Sequence, residues 1–343
     1  MRKKERMEIF VRTLWEWFCS HKRDLPWRDL DGEQVNRRAY CILVSEVMLQ
    51  QTQVSRVKIV FKNFLEVFPQ ITDLALASNR DVLLAWRSMG YNSRALRLRD
   101  AARTITEKFP GSFPMQMEEL QAISGIGHYT AAAIRNFAFH LPTPCLDTNI
   151  RRILHRSFVG PENADGTYRK DDAYILKIAA EVLEEALATH DRFLGLSVPL
   201  NPKSLKTNAP RTFPSADWHA ALMDYGSLVC TKRNPKWDVC PLTKAGIMKA
   251  AYCVPTVNSQ QPTAKPEPGR IIGSKFIPNR IIRGRIVEEL RDEPSGLPLP
   301  EIGSRVCIDW SPRRHTVWLR EIIAKLERDS MVRNIRGKIA LAD

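Results

Sequence analysis

Two carboxylates stand in positions that could support chemistry in this sequence of 343 residues. Glu46 lies within residues 40–54, where apolar residues run almost continuously, and this pattern predicts a buried helix. Gln50, four residues further on, shares its helix face, and Gln51 lies beside Gln50. A buried carboxylate is costly unless it is paired, protonated or used. Glu46 is therefore either satisfied by neighbouring backbone or a functional acid.

Asp147 comes directly before residues with a strong amphipathic helical pattern, so it either caps that helix or serves as an anion. It follows residues 120–134, in which Gly125 and Gly127 separate the end of one helix from an alanine-rich helix. Such glycines permit a tight hairpin, and the unpaired N–H groups at the new helix start attract a phosphate. This helix-hairpin-helix pattern predicts a DNA-backbone anchor that does not read base sequence.

The elements that must position these residues are predicted to be helices. Residues 7–20 have apolar positions at helical spacing, residues 29–38 are a polar loop, and strand patterns are scarce. We therefore predict an all-α domain with short connections, held together by helix packing. Further helices are predicted at residues 57–68, 71–77, 80–88 and 93–109.

The composition favours a polyanionic partner. Lysine and arginine outnumber aspartate and glutamate by 52 to 38, which gives a formal charge of +14 and favours nucleic acid over a membrane surface. No segment approaches the roughly 18 apolar residues of a membrane span, and no signal-peptide pattern follows the charged start. The 7 cysteines are scattered, which argues against a disulfide framework. We expect a monomer inside the cell, in the cytoplasm with the nucleoid or in a nucleus.

Glu46, the hairpin and Asp147, in this order, resemble the helix-hairpin-helix base-excision glycosylases, and within them the MutY-like adenine glycosylases. The resemblance covers residues 8–253 and implies two lobes, one of about residues 36–146 and one formed by residues 1–35 and 147–253. Its most specific motif is Ser-Glu-Val-Met-Leu-Gln-Gln-Thr, because other branches of the superfamily generally lack a glutamate there. The other matching motifs lie at residues 25–28, 89–91, 125–131, 147–149 and 223–230.

The resemblance implies a glycosylase mechanism with two carboxylates. Glu46, whose pKa we expect its apolar helix to raise, would protonate the leaving base. Asp147 would stabilise the positive charge that develops on the sugar, assisted by Tyr129 and Asn149. Bifunctional relatives carry a lysine in place of Tyr129, and its amine forms a Schiff base. The resemblance therefore implies a monofunctional enzyme that leaves an abasic site.

A base inside a duplex must be flipped out before it can react, and the gap must be filled. The resemblance assigns Gln51 and Tyr91 to a wedge of side chains that enters the base stack and fills this gap. It assigns Trp27 and Arg28 to the adenine pocket. For Trp27 and Tyr91 the alternative is ordinary aromatic core. The other candidate DNA-binding residues are Gln50, Gly125, Gly127, His128 and Thr130.

The sequence departs from the family at the cluster motif. MutY-like proteins usually bind a four-iron cluster through four cysteines. Cys230 and Cys240 match the first and third of these, whereas Trp237 and Gly246 stand at the second and fourth, and Cys253 is too distant. We therefore expect no cofactor, neither an iron–sulfur cluster nor another metal, and we expect Trp237 to pack where the cluster would lie.

Smaller departures bear on substrate preference. Asn92 stands where a second tyrosine commonly follows Tyr91, Ser124 replaces the usual hairpin proline, and residues 29–38 are longer than the family's loop. Residues 193–214 are predicted to be a surface insertion. The family usually recognises 8-oxoguanine with a domain related to nucleotide hydrolases. The sequence pattern gives no sign of such a domain.

Residues 254–275 are rich in proline, glutamine, threonine and glycine, which predicts a flexible linker. Residues 276–343 resemble a winged helix, in which residues 313–320 would approach the major groove and residues 333–338 would form the wing. The alternative is a protein-docking or packing domain. The predicted helices cover residues 279–291, 300–306 and 313–328, and the predicted hairpin strands cover residues 331–335 and 338–342.

Two other functions remain open. Related glycosylases with a tyrosine at the position of Tyr129 remove thymine or uracil mispaired with guanine, but they lack an acid like Glu46. A catalytically silent DNA-binding or regulatory protein would fit the incomplete cluster motif and the appended domain. The sequence favours an enzyme that removes adenine opposite 8-oxoguanine or guanine from double-stranded DNA, because it combines Glu46, Tyr129, Asp147 and Asn149.

Overall fold

Helices dominate the computed structural model, which describes residues 1–30, 32–193, 213–253 and 267–343. The described strands are short and lie in the C-terminal part, so the predicted all-α fold with a small winged-helix-like domain is confirmed. Most of the predicted insertion at 193–214 and of the predicted linker at 254–275 lies outside the described residues. Within the described ranges, no helix combines the length and the apolar character that crossing a membrane requires.

Among the described residues, one helix follows another along the chain up to the C-terminal elements. The first twelve are α1 Lys3–His21, α2 Val35–Leu49, α3 Val54–Val67, α4 Ile71–Leu76, α5 Asn79–Ala85, α6 Ser93–Lys108, α7 Met117–Gln121, α8 His128–Phe137, α9 Thr148–Leu154, α10 Asp172–Phe193, α11 Pro214–Leu228 and α12 Pro241–Lys244. The C-terminal elements are β1 Gly269–Ile272, β2 Lys275–Pro278, α13 Asn279–Arg291, β3 Leu297–Pro298, α14 Leu299–Val306, α15 Pro312–Arg328, β4 Val332–Ile335 and β5 Lys338–Leu341.

One compact unit comprises residues 1–42, 115–121 and 126–262. The apolar side of the amphipathic helix α1 packs into a core to which α8 to α12 contribute. At its centre the fully buried rings of Trp15 and Trp218 lie 5.2 Å apart. Large aromatic side chains dominate the energetics of such cores. This core fixes the start of α9 and the course of α11, which carry several candidate residues.

The other compact unit comprises residues 43–114, 122–125 and 263–343. In its helical part, α4 packs along α6, and the buried rings of Phe64 and Trp86 lie 5.9 Å apart. The C-terminal residues therefore belong to the same compact unit as the helices α3 to α6. The predicted division of the chain into two lobes and a C-terminal domain stays a prediction.

The C-terminal elements form a winged-helix-like arrangement. Apolar side chains of α13, α14 and α15 pack together, and an antiparallel sheet in the order β3-β5-β4 lies beside them. Arg336 and Gly337 join β4 to β5 with φ of 52° and 86°, as a tight hairpin with two left-handed residues requires. The predicted helix at 279–291 and the predicted hairpin are thus confirmed.

The prediction of a linker up to residue 275 is wrong at its C-terminal end. Strands β1 and β2 form an antiparallel hairpin there. Arg270 of β1 forms an ion pair with Asp309 and lies over the ring of Trp318 at 4.7 Å. These partners are distant in sequence, so a local composition rich in proline and glycine could not predict the hairpin.

Candidate functional site

Glu46 lies on α2, and its side chain is only 6% exposed. Residues 44–48 are all buried, so the predicted buried helix is confirmed around Glu46. Its predicted bounds are wrong, because α2 begins at Val35 and ends at Leu49. Gln50 therefore lies in the turn after the helix, exposed to solvent.

The early end of α2 is explained by a buried arginine of α6. Arg94 is 4% exposed, and its Nη1 atom donates hydrogen bonds to the carbonyl oxygens of Val47 at 2.9 Å and Met48 at 3.2 Å, and to that of Gln50. The last carbonyl groups of a helix lack partners within the helix, and a cation there also interacts favourably with the helix dipole. Burial lowers the pKa of Arg94 to about 10, so it remains charged at neutral pH.

Arg94 also holds the loop that carries Tyr91. Its Nη2 atom donates to the carbonyl oxygens of Met89 at 3.4 Å and Gly90 at 3.3 Å. The guanidinium lies 5.6 Å from the centre of the Tyr91 ring, within the range of a cation–π interaction. The buried guanidinium of Arg94 thus holds both the turn that contains Gln51 and the loop that contains Tyr91.

Both of these predicted wedge residues have a strained backbone. Gln51 and Tyr91 have φ of 58° and 46°, in the left-handed region that few non-glycine residues adopt. Such a conformation costs about 1–3 kcal/mol and persists only where the surroundings enforce it. Both side chains are exposed, that of Tyr91 to 51%. The alternative that Tyr91 is ordinary aromatic core is therefore wrong.

Sequence reasoning missed Arg94, although a signal was present. Arg94 recurs at helical spacing with Leu98, Ala101 and Ile105, which are all buried. A cation on the apolar face of a helix requires a buried partner. Its partners are carbonyl groups at the end of α2, and they could not be identified while that end was misplaced.

In the other compact unit, Asp147 is the N-cap of α9. Its Oδ1 atom accepts a hydrogen bond from the N–H group of Ile150 at 2.6 Å, and its Oδ2 atom accepts one from Asn149 Nδ2 at 2.9 Å. Unpaired N–H groups and the helix dipole stabilise a carboxylate at this position. The predicted capping role is therefore present, and the second oxygen is held by the predicted assisting residue.

Asn149 is held in turn by a buried arginine. Arg152 Nη2 donates to Asn149 Oδ1 at 2.6 Å, and the same guanidinium donates to the carbonyl oxygens of Cys230 at 2.6 Å and Gly226 at 2.8 Å. Because an amide has one accepting and one donating end, this contact directs the Asn149 NH₂ group towards Asp147. A chain of hydrogen bonds thus runs from α11 through Arg152 and Asn149 to Asp147.

Gly226 allows this chain to form. A Cβ atom at Gly226 would lie 2.6 Å from Asn149 Cβ and 3.1 Å from Ile153 Cδ1. A side chain there would push α11 away from α9, because packed interiors leave no room for the overlap. Gly226 lies in the matching motif at residues 223–230, but neither Gly226 nor Arg152 was predicted as a site residue, because their role depends on helices far apart in sequence.

Burial raises the pKa of the Asp147 carboxyl above its ordinary value. The hydrogen bonds from Ile150 and Asn149 and the charge of Arg152 act in the opposite direction but do not cancel the effect of burial. Asp147 is therefore protonated at a higher pH than an exposed aspartate. Each donor that faces it helps to keep it anionic.

Trp27 and Arg28 lie in a turn of the first unit, and the Trp27 side chain is 5% exposed. Arg28 Nη1 and Nη2 donate to Asp224 Oδ2 at 2.8 Å and Oδ1 at 2.9 Å, and Arg23 Nε donates to Oδ1 at 2.6 Å. Burial raises the pKa of the fully buried Asp224, but Arg28 and Arg23 outweigh it and lower that pKa overall. Arg28 thus forms a structural ion pair, and its place beside adenine stays a prediction.

At the hairpin the two glycines differ. Gly125 has φ of 91°, which favours glycine, whereas Gly127 is extended and a Cβ there would meet nothing within 4 Å. Gly127 is the N-cap of α8, so His128, Tyr129 and Thr130 form the first turn, at the positive end of the helix dipole. His128 is exposed, Tyr129 half-buried and Thr130 buried. The Thr130 hydroxyl is therefore not exposed to a ligand, and a role of Thr130 in DNA binding stays a prediction.

Cys230 and Cys240 are buried and already have partners. Arg156 Nη1 donates to Cys230 Sγ at 3.7 Å, and Tyr225 Oη lies 2.8 Å from Cys240 Sγ. The Arg156 guanidinium lies 5.7 Å from the Trp237 ring. Two thiols beside an indole do not fit a cluster that needs four thiolates. No group of three or more His, Cys, Asp or Glu in the described part of the chain is placed to hold a metal ion.

Known proteins similar to this chain act in DNA repair. The sequence pattern of the HhH-GPD superfamily base excision DNA repair proteins matches residues 44–209. The chain is 33% identical over 286 residues to the adenine DNA glycosylase of Mycolicibacterium smegmatis, covering 83% of this chain and 82% of that protein. It is 35% identical over 236 residues to the adenine DNA glycosylase of Mus musculus, covering 68% of this chain but only 40% of the mouse protein. The solved structure of a thermostable thymine-DNA glycosylase matches with a TM-score of 0.54 and 23% identity, over 70% of this chain and 95% of that one, and shows the fold alone.

Proposed function

Because the chain belongs to the HhH-GPD superfamily of base excision DNA repair proteins, we propose that it is a monofunctional DNA glycosylase that removes adenine mispaired with 8-oxoguanine or guanine. The observation that carries the proposal is the burial of Glu46, which is 6% exposed on an apolar helix. An acid in such surroundings suits proton donation to a leaving base. The similarity to adenine DNA glycosylases supports the choice of base.

In the proposed reaction, Glu46 gives its proton to a ring nitrogen of adenine while the N-glycosidic bond stretches. The bond's electron pair leaves with the base, so positive charge develops on the sugar, and the Asp147 carboxylate stabilises it. Water then adds to the sugar and its proton returns to the Glu46 carboxylate, which yields free adenine and an abasic site and restores the acid. This division of labour requires Glu46 to be protonated and Asp147 to be anionic.

The contacts of Asp147 support its part in this reaction. Its two oxygens accept hydrogen bonds from the Ile150 N–H group and from Asn149 Nδ2, which orient the carboxylate and favour its anionic form. Asn149 is proposed to act in this way, through Asp147. Tyr129 is proposed to contact Asp147 or the sugar.

Tyr129 is also the reason to propose a monofunctional enzyme. A tyrosine cannot form the Schiff base by which bifunctional relatives cut the strand. Borohydride should therefore trap no covalent adduct with substrate DNA. Strand breaks should appear only after alkaline cleavage of the abasic sites.

Binding of the duplex is proposed to use the wedge residues and the hairpin. Tyr91 and Gln51 would enter the base stack when adenine flips out. The start of α8, where the helix dipole favours an anion, would hold a phosphate. Double-stranded DNA with a mismatch is thus the proposed partner of a monomer acting in the nucleoid or, in a eukaryote, in the nucleus.

We propose further that the protein works without an iron–sulfur cluster. Trp237 and the buried Arg156 would pack in the region that the relatives' cluster occupies, and Cys230 and Cys240 would remain as thiols. Purified protein should lack the broad absorbance near roughly 400 nm that such clusters give, and iron analysis should find none. A brown protein with four irons per chain would contradict this.

One assay separates this function from its alternatives. The protein is incubated with duplexes containing A opposite 8-oxoguanine, A opposite G, T opposite G and U opposite G, and abasic sites are then cleaved with alkali. Breaks at adenine are expected. Breaks confined to T or U would assign a thymine or uracil glycosylase, and no breaks in any duplex would favour a silent DNA-binding protein.

A further inference from the structure

We propose that the C-terminal domain holds the loop that carries Tyr91, with Arg291 of α13 as a positioning residue that acts through Asn92. This inference rests on the proposed function, because it assumes that Tyr91 is a wedge in DNA. It assigns the C-terminal domain a part in mismatch recognition that requires no contact between Arg291 and DNA.

The C-terminal domain contacts α5 and the segment between α5 and α6, which contains Tyr91. Arg87, just after α5, forms ion pairs with Asp292 at 2.5 Å and Glu288 at 3.4 Å. At a second point, Asn79 Nδ2 at the start of α5 donates to the carbonyl oxygen of Ser330 at 2.6 Å. Asn79 is 7% exposed, whereas Ser330 is exposed, so this contact is part-buried. Two separate contacts therefore fix α13 and the end of α15 against α5.

Arg291 is the centre of this docking. It is 4% exposed, its Nε atom donates to the Leu83 carbonyl oxygen at 3.1 Å, and its Nη2 atom donates to Asn92 Oδ1 at 3.3 Å. Leu83 belongs to α5 and Asn92 directly precedes α6. One guanidinium supplied by the C-terminal domain thus ties together the two ends of the loop that contains Tyr91.

The loop needs such support because its backbone is strained. Ser88, Gly90 and Tyr91 have positive φ, and Tyr91 is directly bonded to Asn92. Arg94 holds the middle of the loop and Arg291 holds its ends, so the exposed ring is presented in a fixed place. A fixed wedge loses less conformational entropy on insertion than a mobile one, which favours binding.

This arrangement accounts for Asn92, which stands where relatives commonly have a second tyrosine. Asn92 is 8% exposed and offers an amide oxygen that fits the Arg291 guanidinium. A tyrosine at this position would place a ring where that hydrogen bond lies. The Asn92 side chain is therefore the point at which the C-terminal domain holds the Tyr91 loop.

The test compares Arg291→Met with wild type, Tyr91→Ala and the double variant, all as full-length chains. Affinity is measured for duplexes with A opposite 8-oxoguanine and for fully matched duplexes. Arg291→Met should weaken mismatch binding about tenfold, the order of a lost base-stacking contact, and leave matched binding within twofold. In the Tyr91→Ala background, Arg291→Met should have no further effect, because both changes then remove the same interaction.

A probe of the wedge itself provides a second readout. With 2-aminopurine beside the mismatch, wild type should increase the fluorescence as the step opens, and Arg291→Met should reduce that increase. Asn92→Leu should reproduce the defect, whereas Asn92→Asp, which keeps the acceptor, should not. Arg12→Met, which removes an exposed arginine of α1, is the matched control for the loss of one charge.

The outcomes separate the inference from the function on which it rests. If Tyr91→Ala weakens mismatch binding but Arg291→Met and Asn92→Leu do not, the inference is overturned and the proposed function stands. Equal losses caused by Arg291→Met in both backgrounds would also overturn it, because they would indicate a general folding defect. If Tyr91→Ala itself has no effect, the wedge assignment fails and the inference fails with it.

Discussion

The surroundings of Asp147 and those of the two wedge residues are built in opposite ways. Asp147 is half-buried at the regular start of a helix, and hydrogen bonds hold both of its oxygens. Gln51 and Tyr91 are exposed and have left-handed backbone. In the first region the functional group itself is held. In the second region Arg94 and Arg291 hold residues that neighbour the wedge residues, and both wedge side chains are exposed to solvent.

The difference matches the work proposed for each region. A carboxylate that must stabilise charge on a sugar acts best when it is already oriented and costs no reorganisation during the reaction. A wedge must stay accessible to DNA while its position is fixed from behind. Changes near Asp147 should therefore lower the rate of base removal, and changes near Tyr91 should lower affinity for mismatched DNA.

The largest effect is expected from Asp147→Asn. An amide still caps α9, so the fold should be kept, but the negative charge is lost. The single-turnover rate on A opposite 8-oxoguanine should fall about a thousandfold, in the range of a lost electrostatic contact in an active site. Affinity for the same duplex should change less than threefold. A loss of affinity with an unchanged rate would reverse the comparison.

A smaller effect, on affinity, is expected from Arg94→Met. The variant removes the donor to the carbonyl oxygens of Val47, Met48 and Gly90. The turn with Gln51 and the loop with Tyr91 should therefore become more mobile. Mismatch affinity should fall about thirtyfold, as for the partial loss of two stacking contacts. The free energy of unfolding should fall by about 3 kcal/mol because buried acceptors are left unpaired.

The matched control is Arg103→Met on the same helix. Arg103 donates to the carbonyl oxygens of Ala75 at 2.7 Å and Ala77 at 3.1 Å, at the end of α4. Its loss should lower stability in a similar way and leave the ratio of mismatched to matched affinity unchanged. If both variants lose that ratio, Arg94 has no specific role in the wedge.

The smallest effect is expected from Asn149→Ala. Asn149 lowers the pKa of Asp147, so its loss should raise that pKa beyond its already raised value. Because Asp147 must be anionic, the rate falls as pH falls through its pKa, and the acid limb of the profile should move to higher pH. The rate at neutral pH should fall about tenfold through lost orientation. An acid limb that stays in place would argue that Asn149 does not act through Asp147.

Sequence reasoning succeeded where the relevant interactions are local. The buried surroundings of Glu46, the helix start at Asp147 and the bounds of α13 follow from periodicity and capping preferences. The two-residue turn at Arg336 and Gly337 likewise follows from local turn preferences. These features depend on residues within one or two helical turns of each other.

It failed where a contact joins distant residues. The end of α2 is determined by Arg94 of α6, and Arg28 is held by Asp224, 196 residues away. Gly226 is required by Asn149 on another helix. The docking of Arg291 on Leu83 and Asn92 is of the same kind, because no local pattern specifies which carbonyl or amide oxygen a buried arginine will find.

The most direct test of the proposed reaction is Glu46→Gln, assayed under single turnover on A opposite 8-oxoguanine. The amide keeps the size of the side chain but cannot donate a carboxylic proton. The rate should fall about a thousandfold, within the range for a lost general acid, while the variant still binds the mismatched duplex. A variant that removes adenine at the wild-type rate would contradict the assignment of Glu46 as the acid and, with it, the account of how this protein works.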